Sequence, residues 1–213
     1  MRPSRRRCAR RRWPAGTGRY TPERGRRRVP SEKEKMLAGL DYDAGDAELV
    51  SLRERARGLL DRYHALPLTA GRAARMAVLS ELLGDVGEGA AILPRFLCDY
   101  GFNIRIGARS FVNYDAVFLD VAPIDIGADV QIAPRVQLLT ADHPLDAETR
   151  RSGLESGRPI VVGDGVWLGG GAIVCPGVTI GENTVVGAGA VVARDLPAGV
   201  LALGVPARVV RPL

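Results

Sequence analysis

An aliphatic residue returns at every sixth position through the C-terminal half of the chain, at Val162, Leu168, Val174, Ile180, Val186 and Val192. Glycine directly follows four of these anchors, at positions 163, 169, 181 and 187. The fourth residue after each is Val166, Ala172, Val178, Thr184, Ala190 or Leu196. A period of six fits neither the 3.6 residues of a helical turn nor the two-residue alternation of an ordinary strand. It fits a mainly β coil with three flat faces of about six residues each, closing roughly every 18 residues around a triangular core. One side chain per face must point inward, and Val, Ile and Leu suit that place because they pack on a pleated surface with restricted rotamers. Glycine is expected at the corners because it accepts backbone angles that a side chain forbids. Ordinary buried strands would show the same residue types without a fixed phase.

The formal net charge of +6 is unevenly spread: residues 1–30 hold twelve arginines and one acid, so residues 31–213 carry −5. The folded part is therefore acidic, and nucleic acid is not its expected partner. An Arg-rich segment with Pro and Gly cannot bury enough apolar surface to offset its ordering, and 1–30 is read as a disordered extension. An upstream start codon, a basic arm and a targeting peptide compete as its origin. It lacks the apolar middle of a secretory signal, and Ser31 to Met36 reads like the beginning of the domain, which favours the first. No apolar run is long enough to cross a membrane. Cys8, Cys98 and Cys175 are an odd number without paired spacing, so they suggest neither a disulfide framework nor a zinc ribbon. Reduced thiols in a cytoplasm are expected, two of them small core residues.

An N-terminal helical subdomain is expected over 31–90. Ser31 and Glu34 have capping-box spacing for a helix over 32–38 that ends at Gly39. Asp46 can cap a second helix with Leu52, Ala56, Leu59 and Tyr63 on one face, stopped by Pro67. A third from about Arg72 carries Met76, Leu79 and Leu83 and closes at Gly84. The β-helix is expected over 91–213. Ile106, Val112 and Phe118 keep the hexad phase, which slips by two places before Ile126, Ile132 and Leu138. Phase is lost from Leu139 to Pro159 and resumes at Ile160, so 139–159 reads as a functional loop extruded from the solenoid.

Of the two histidines, His64 lies at the end of a helix beside Tyr63 and reads as structural. His143 lies where the coil opens into the loop, in Thr140-Ala141-Asp142-His143-Pro144, and an imidazole there is a natural general base for an alcohol.

From Asp99 to Arg211 the chain resembles the hexapeptide-repeat sugar O-acetyltransferases, the group of maltose, galactoside and nodulation-factor acetyltransferases. The matching motifs include Cys98-Asp99-Tyr100-Gly101, Asn103-Ile104-Arg105-Ile106-Gly107, Phe111-Val112-Asn113-Tyr114, the His-Pro-Leu-Asp loop at 143–146 and Ser152-Gly153-Leu154-Glu155. Val166-Trp167-Leu168-Gly169-Gly170 and Pro176-Gly177-Val178-Thr179-Ile180-Gly181 continue the match. Met36-Leu37-Ala38-Gly39 and Tyr42 resemble that family's N-terminal helical segment, and the loop is closer to the maltose branch. The resemblance implies a left-handed parallel β-helix, an exception to the right-handed crossover rule. It also implies a homotrimer with sites between neighbours, acetyl-CoA as co-substrate, a sugar acceptor and no metal.

By the same resemblance His143 is the base and Asn113 helps hold the reacting groups. Asp99 binds the acceptor, and the amide near Gly170 receives the developing oxyanion. Trp167 and Gly170 flank the pantetheine channel, Ala188, Ala193 and Arg194 contact it, and Arg208 and Arg211 stand near the nucleotide phosphates. Two acceptor-side positions depart from the pattern. Val121 stands where the galactoside branch has a second acid after Asp120, and Ala44 falls where that branch has an N-terminal acceptor-binding aspartate, with Asp43 adjacent as a substitute. Rival readings are acetylation of an antibiotic or of serine, a zinc carbonic anhydrase, which would need three histidine ligands, and a trimeric scaffold without catalysis.

Overall fold

A computed structural model of the protein describes residues 29–67 and 69–213, and the expectations for 1–28, Cys8 included, fall outside them. Ser31 opens helix α1 (Glu32–Leu37) through a reciprocal cap. Its hydroxyl accepts the Glu34 amide at 3.2 Å while the Glu34 carboxylate accepts the Ser31 amide at 2.8 Å. The Asp46 carboxylate accepts the Glu48 amide and opens α2 (Ala47–Ala65), which buries Ala56, Leu59 and Tyr63 on the expected face. Helix α3 (Arg72–Leu82) buries Val78, Leu79 and Leu82.

Beyond α3 the chain winds into a left-handed parallel β-helix of stacked triangular coils. The first face stacks Asp85–Val86, Ile104–Ile106, Ile124–Ile126, Ile160–Val162 and Thr179–Ile180. The second stacks Ala91–Ile92, Phe111–Val112, Gln131–Ile132, Trp167–Leu168, Val185–Val186 and Val200–Leu203, closed by antiparallel Arg208–Pro212. The third stacks Leu97–Cys98, Val117–Leu119, Gln137–Leu139, Ile173–Val174 and Val191–Val192. The solenoid thus opens at Asp85, a few residues before the boundary that the hexad phase suggests. All six in-phase anchors from Val162 to Val192 are buried, as are the six residues four places after them. One continuous core runs from Ala56 on α2 to Ala207 at the far end.

Coil length differs along the axis. Val162 pairs with Ile180, eighteen residues on, whereas Ile106 pairs with Ile126 and Phe118 with Leu138, twenty residues on. The two added residues enter at the corner between the third and first faces, through Asp99-Tyr100-Gly101-Phe102-Asn103 in one coil and Asp120-Val121-Ala122-Pro123 in the next. The extruded segment is the third instance of this wide corner. It folds as strand Ala141–Asp142, helix α4 (Ala147–Arg151) and strand Leu154–Gly157, and the last strand pairs antiparallel with both Ala141–Asp142 and Tyr42–Asp43.

The glycines that follow the anchors serve a different purpose from the one expected. A Cβ at Gly163 would lie 2.6 Å from the Glu182 amide nitrogen of the next coil, so close stacking and not an unusual φ requires glycine there. Left-handed backbone falls two places later, and Asp129 (φ 59°) and Asn183 (φ 58°) fill it as well as Gly165 (φ 68°).

Candidate active site

The wide corner positions the chemistry. A cleft of about 340 Å³ opens between it and the helical cap. Asp99, Tyr100 and Val121 come from the corners, Leu119 from the end of a third-face strand, Ala141, His143 and Glu155 from the extruded segment, and Ala44, Arg53 and Arg57 from the cap. A second small core of Met36, Tyr42, Leu49, Tyr100 and Val121 holds the cap against this edge.

Polar contacts set the walls. Arg53 donates from Nη1 to the Tyr100 hydroxyl at 2.7 Å and from Nη2 to the Ala44 carbonyl at 2.6 Å, and the Tyr42 hydroxyl donates to Glu155 Oε2 at 2.9 Å. Burial pushes the Asp99 carboxyl above the usual carboxylate range, opposed by the Arg53 and Arg57 guanidinium groups and reinforced by Glu155. His143 is exposed on the loop. Its amide donates to Asp142 Oδ1 at 3.1 Å, and Asp142 is paired with Arg158 at 3.0 Å.

Of the residues named from the sequence, His143 and Asp99 share this cleft. Asp43 stands outside it: its carboxylate is exposed and accepts the Gly45 amide at 2.8 Å, while Ala44 lines the wall. Asn113 lies on another edge of the prism, between the second and third faces, with its Oδ1 accepting the Tyr114 amide. Gly170 and Ala188 stack above it on that edge through Gly171 N–H to the Pro134 carbonyl and Gly189 N–H to the Gly170 carbonyl. Trp167 projects from the second face, about half exposed. It is in register with Val185, then Leu201, then Arg211, three rungs or roughly 14 Å away at the usual strand spacing. Arg208 is exposed on the same closing strand. Ala193 and Arg194 return to the His143 edge, two coils further along. The residues named from the sequence therefore fall on two edges of a single chain.

His64 is structural, its Nε2 lying 2.9 Å from the Phe96 carbonyl oxygen. Cys98 and Cys175 pack partly buried against the main core, and burial raises the Cys98 thiol far above its ordinary value. Sequence reasoning missed Arg53 and Arg57. Glu155 stood in a matching motif but received no role. The i, i+4 spacing of Arg53 and Arg57 on α2 was the one available signal.

The fold is that of a parallel β-helix with a loop-borne imidazole and a half-buried carboxylate lining one cleft, and comparison with known proteins gives its class. Residues 35–87 match the maltose acetyltransferase hexapeptide capping motif, and 159–194 match the bacterial transferase hexapeptide of six repeats. Nodulation protein L of Rhizobium meliloti is 52% identical over 181 residues, covering 84% of this chain and 97% of that protein. A maltose O-acetyltransferase structure from Clostridium difficile superposes with a TM-score of 0.85 at 45% identity, covering 87% of this chain and 99% of that one. A hexapeptide-repeat containing acetyltransferase from Vibrio cholerae, complexed with acetyl coenzyme A, gives 0.80 at 41% identity, with coverage of 86% and 99%. The chain belongs to the hexapeptide-repeat sugar O-acetyltransferase family.

Proposed function

We propose that this chain is a cytoplasmic acetyl-CoA-dependent O-acetyltransferase that modifies a hydroxyl of a sugar such as maltose or glucose, acting as a homotrimer. The observation that carries the reading is the shared cleft of His143 and Asp99, whose volume lies within the range of small-molecule sites. His143 takes the proton of the acceptor hydroxyl as that oxygen attacks the thioester carbonyl carbon. The new C–O bond forms, the C–S bond breaks, and the imidazolium returns its proton to the departing sulfur. Asp99 accepts hydrogen bonds from sugar hydroxyls. Asn113 holds the reacting groups, and the Gly170 amide donates to the developing oxyanion. Trp167, Ala188, Ala193 and Arg194 line the path of the pantetheine arm, with Arg208 and Arg211 at the phosphates.

The trimer is supported by the division of these residues between two edges. A whole site needs one edge from each of two neighbours, and three copies close that head-to-tail contact into a ring. Val121 and Ala44, apolar where the galactoside branch has acids, favour a second reading in which the hydroxyl belongs to a less polar acceptor such as an antibiotic. Thiol release from acetyl-CoA separates the two when maltose, glucose and galactosides are set against chloramphenicol and serine. Sugars are expected to support turnover, and light scattering is expected to give the mass of three chains. Turnover with chloramphenicol or serine alone, or with none of them, overturns the sugar reading.

A further inference from the structure

Asp120 has no part in the reaction described above, yet its carboxylate is completely buried directly behind the cleft. Its Oδ1 accepts the amides of Asp99 at 3.0 Å and Tyr100 at 2.8 Å, and its Oδ2 lies 3.4 Å from the Asn103 amide. The Asn103 side chain returns the contact by donating from Nδ2 to the Asp120 carbonyl at 2.8 Å. The amides of the wide corner around Asp99 thus converge on one side chain from the following coil. Buried backbone donors need such partners, because each one left unpaired carries its full desolvation penalty.

The arrangement repeats one coil on. Thr140 stands at the place corresponding to Asp120, twenty residues later. It is also fully buried, and its hydroxyl accepts the Ala122 amide at 3.0 Å while donating to the Leu119 carbonyl at 2.6 Å. A neutral hydroxyl therefore suffices to hold a wide corner. A carboxylate in this place instead gathers two consecutive amides on one oxygen, and the first of them belongs to the residue whose side chain faces the cleft.

We infer that Asp120 is the positioning residue of the acceptor subsite, fixing the corner backbone so that the Asp99 carboxylate is held toward the acceptor. The inference rests on the reading of Asp99 as an acceptor-binding group. Asp120 touches no substrate, so its effect passes through Asp99 and falls on acceptor binding and not on the acetyl donor.

The test compares Asp99→Asn, Asp120→Asn and the double variant in steady-state kinetics with maltose and acetyl-CoA, each checked for native circular dichroism. Asp120→Thr is added as a variant whose side chain already serves the equivalent corner at Thr140. Asp120→Asn is expected to raise the acceptor KM about tenfold while the acetyl-CoA KM stays within twofold, and the double variant is expected to be no worse than Asp99→Asn. Asp120→Thr is expected to fold and to show the same selective rise. A raised acceptor KM in Asp99→Asn with a normal one in Asp120→Asn and Asp120→Thr overturns the positioning role alone, as does a double variant whose losses multiply. A normal acceptor KM in Asp99→Asn overturns the acceptor reading itself, and the inference with it.

Discussion

The coils before residue 160 and those after it solve the same packing problem with different corners. After Val162 every corner is tight. Val174 reaches Ile180 in six residues, and only Cys175-Pro176-Gly177 separates Val174 from the next inward residue, Val178. Before it, the third corner takes two more residues. That widening sets Asp99 and Val121 on the rim of the cleft and leaves amides that Asp120 and Thr140 must satisfy from inside. Inward aliphatics fill both regions equally, at Ile104 and Ile124 as at Val162 and Ile180. The repeat builds the scaffold, and the break in the repeat makes room for the site.

That comparison can be broken first at the core. Ile124→Ala in the wide coils and Ile180→Ala in the tight ones are each expected to lose about 2–5 kcal/mol in urea denaturation. A large loss in only one of them would mean that the two regions do not share a core. The next effect separates the corners by pH. Burial pushes the Asp120 carboxyl up from 3.8 to about 7. In that window the native state keeps a proton that the unfolded chain has released, so the Asp120 contribution to stability is greatest below about pH 4 and is lost as pH rises through 7. The change is on the order of 2–4 kcal/mol. Asp120→Asn is expected to flatten the profile, and an unchanged slope would remove Asp120 as its source.

Smaller effects sharpen the reading of the glycines. Gly163→Ala, whose added methyl meets the Glu182 backbone, is expected to cost about 1–3 kcal/mol. Gly189→Ala has open space and only a left-handed φ of 68° to oppose it, and is expected to cost about 1 kcal/mol. Urea midpoints that reverse this order would restore conformational freedom as the reason for the glycines that follow four of the anchors. An effect of similar size is expected from Ser31→Ala, about 1 kcal/mol in thermal melts through loss of the α1 cap.

The solenoid was legible because its core is written in one dimension. Each inward residue from Val162 to Val192 sits in phase, and the slip before Ile126 marks the wide corner without revealing its use. Ser31 with Glu34, and Asp46, were legible for the same local reason, since a cap is made within four residues. His143 stood out because it lies where the phase fails. Arg53, Arg57 and Asp120 did not stand out, because their work depends on contacts 9 to 47 residues away in the chain. Asp43 shows a related limit: adjacency in sequence does not decide which of two neighbours faces the cleft, and here Ala44 does.

The central claim is that the imidazole of His143 removes the acceptor proton at the wide edge. Its most direct test is the rate of CoA thiol release with a saturating sugar for the wild type and for His143→Ala, with light scattering to confirm that both assemble alike. The account predicts a fall of about 10²–10⁴-fold in kcat with the assembly unchanged. A variant that turns over at the wild-type rate would contradict it.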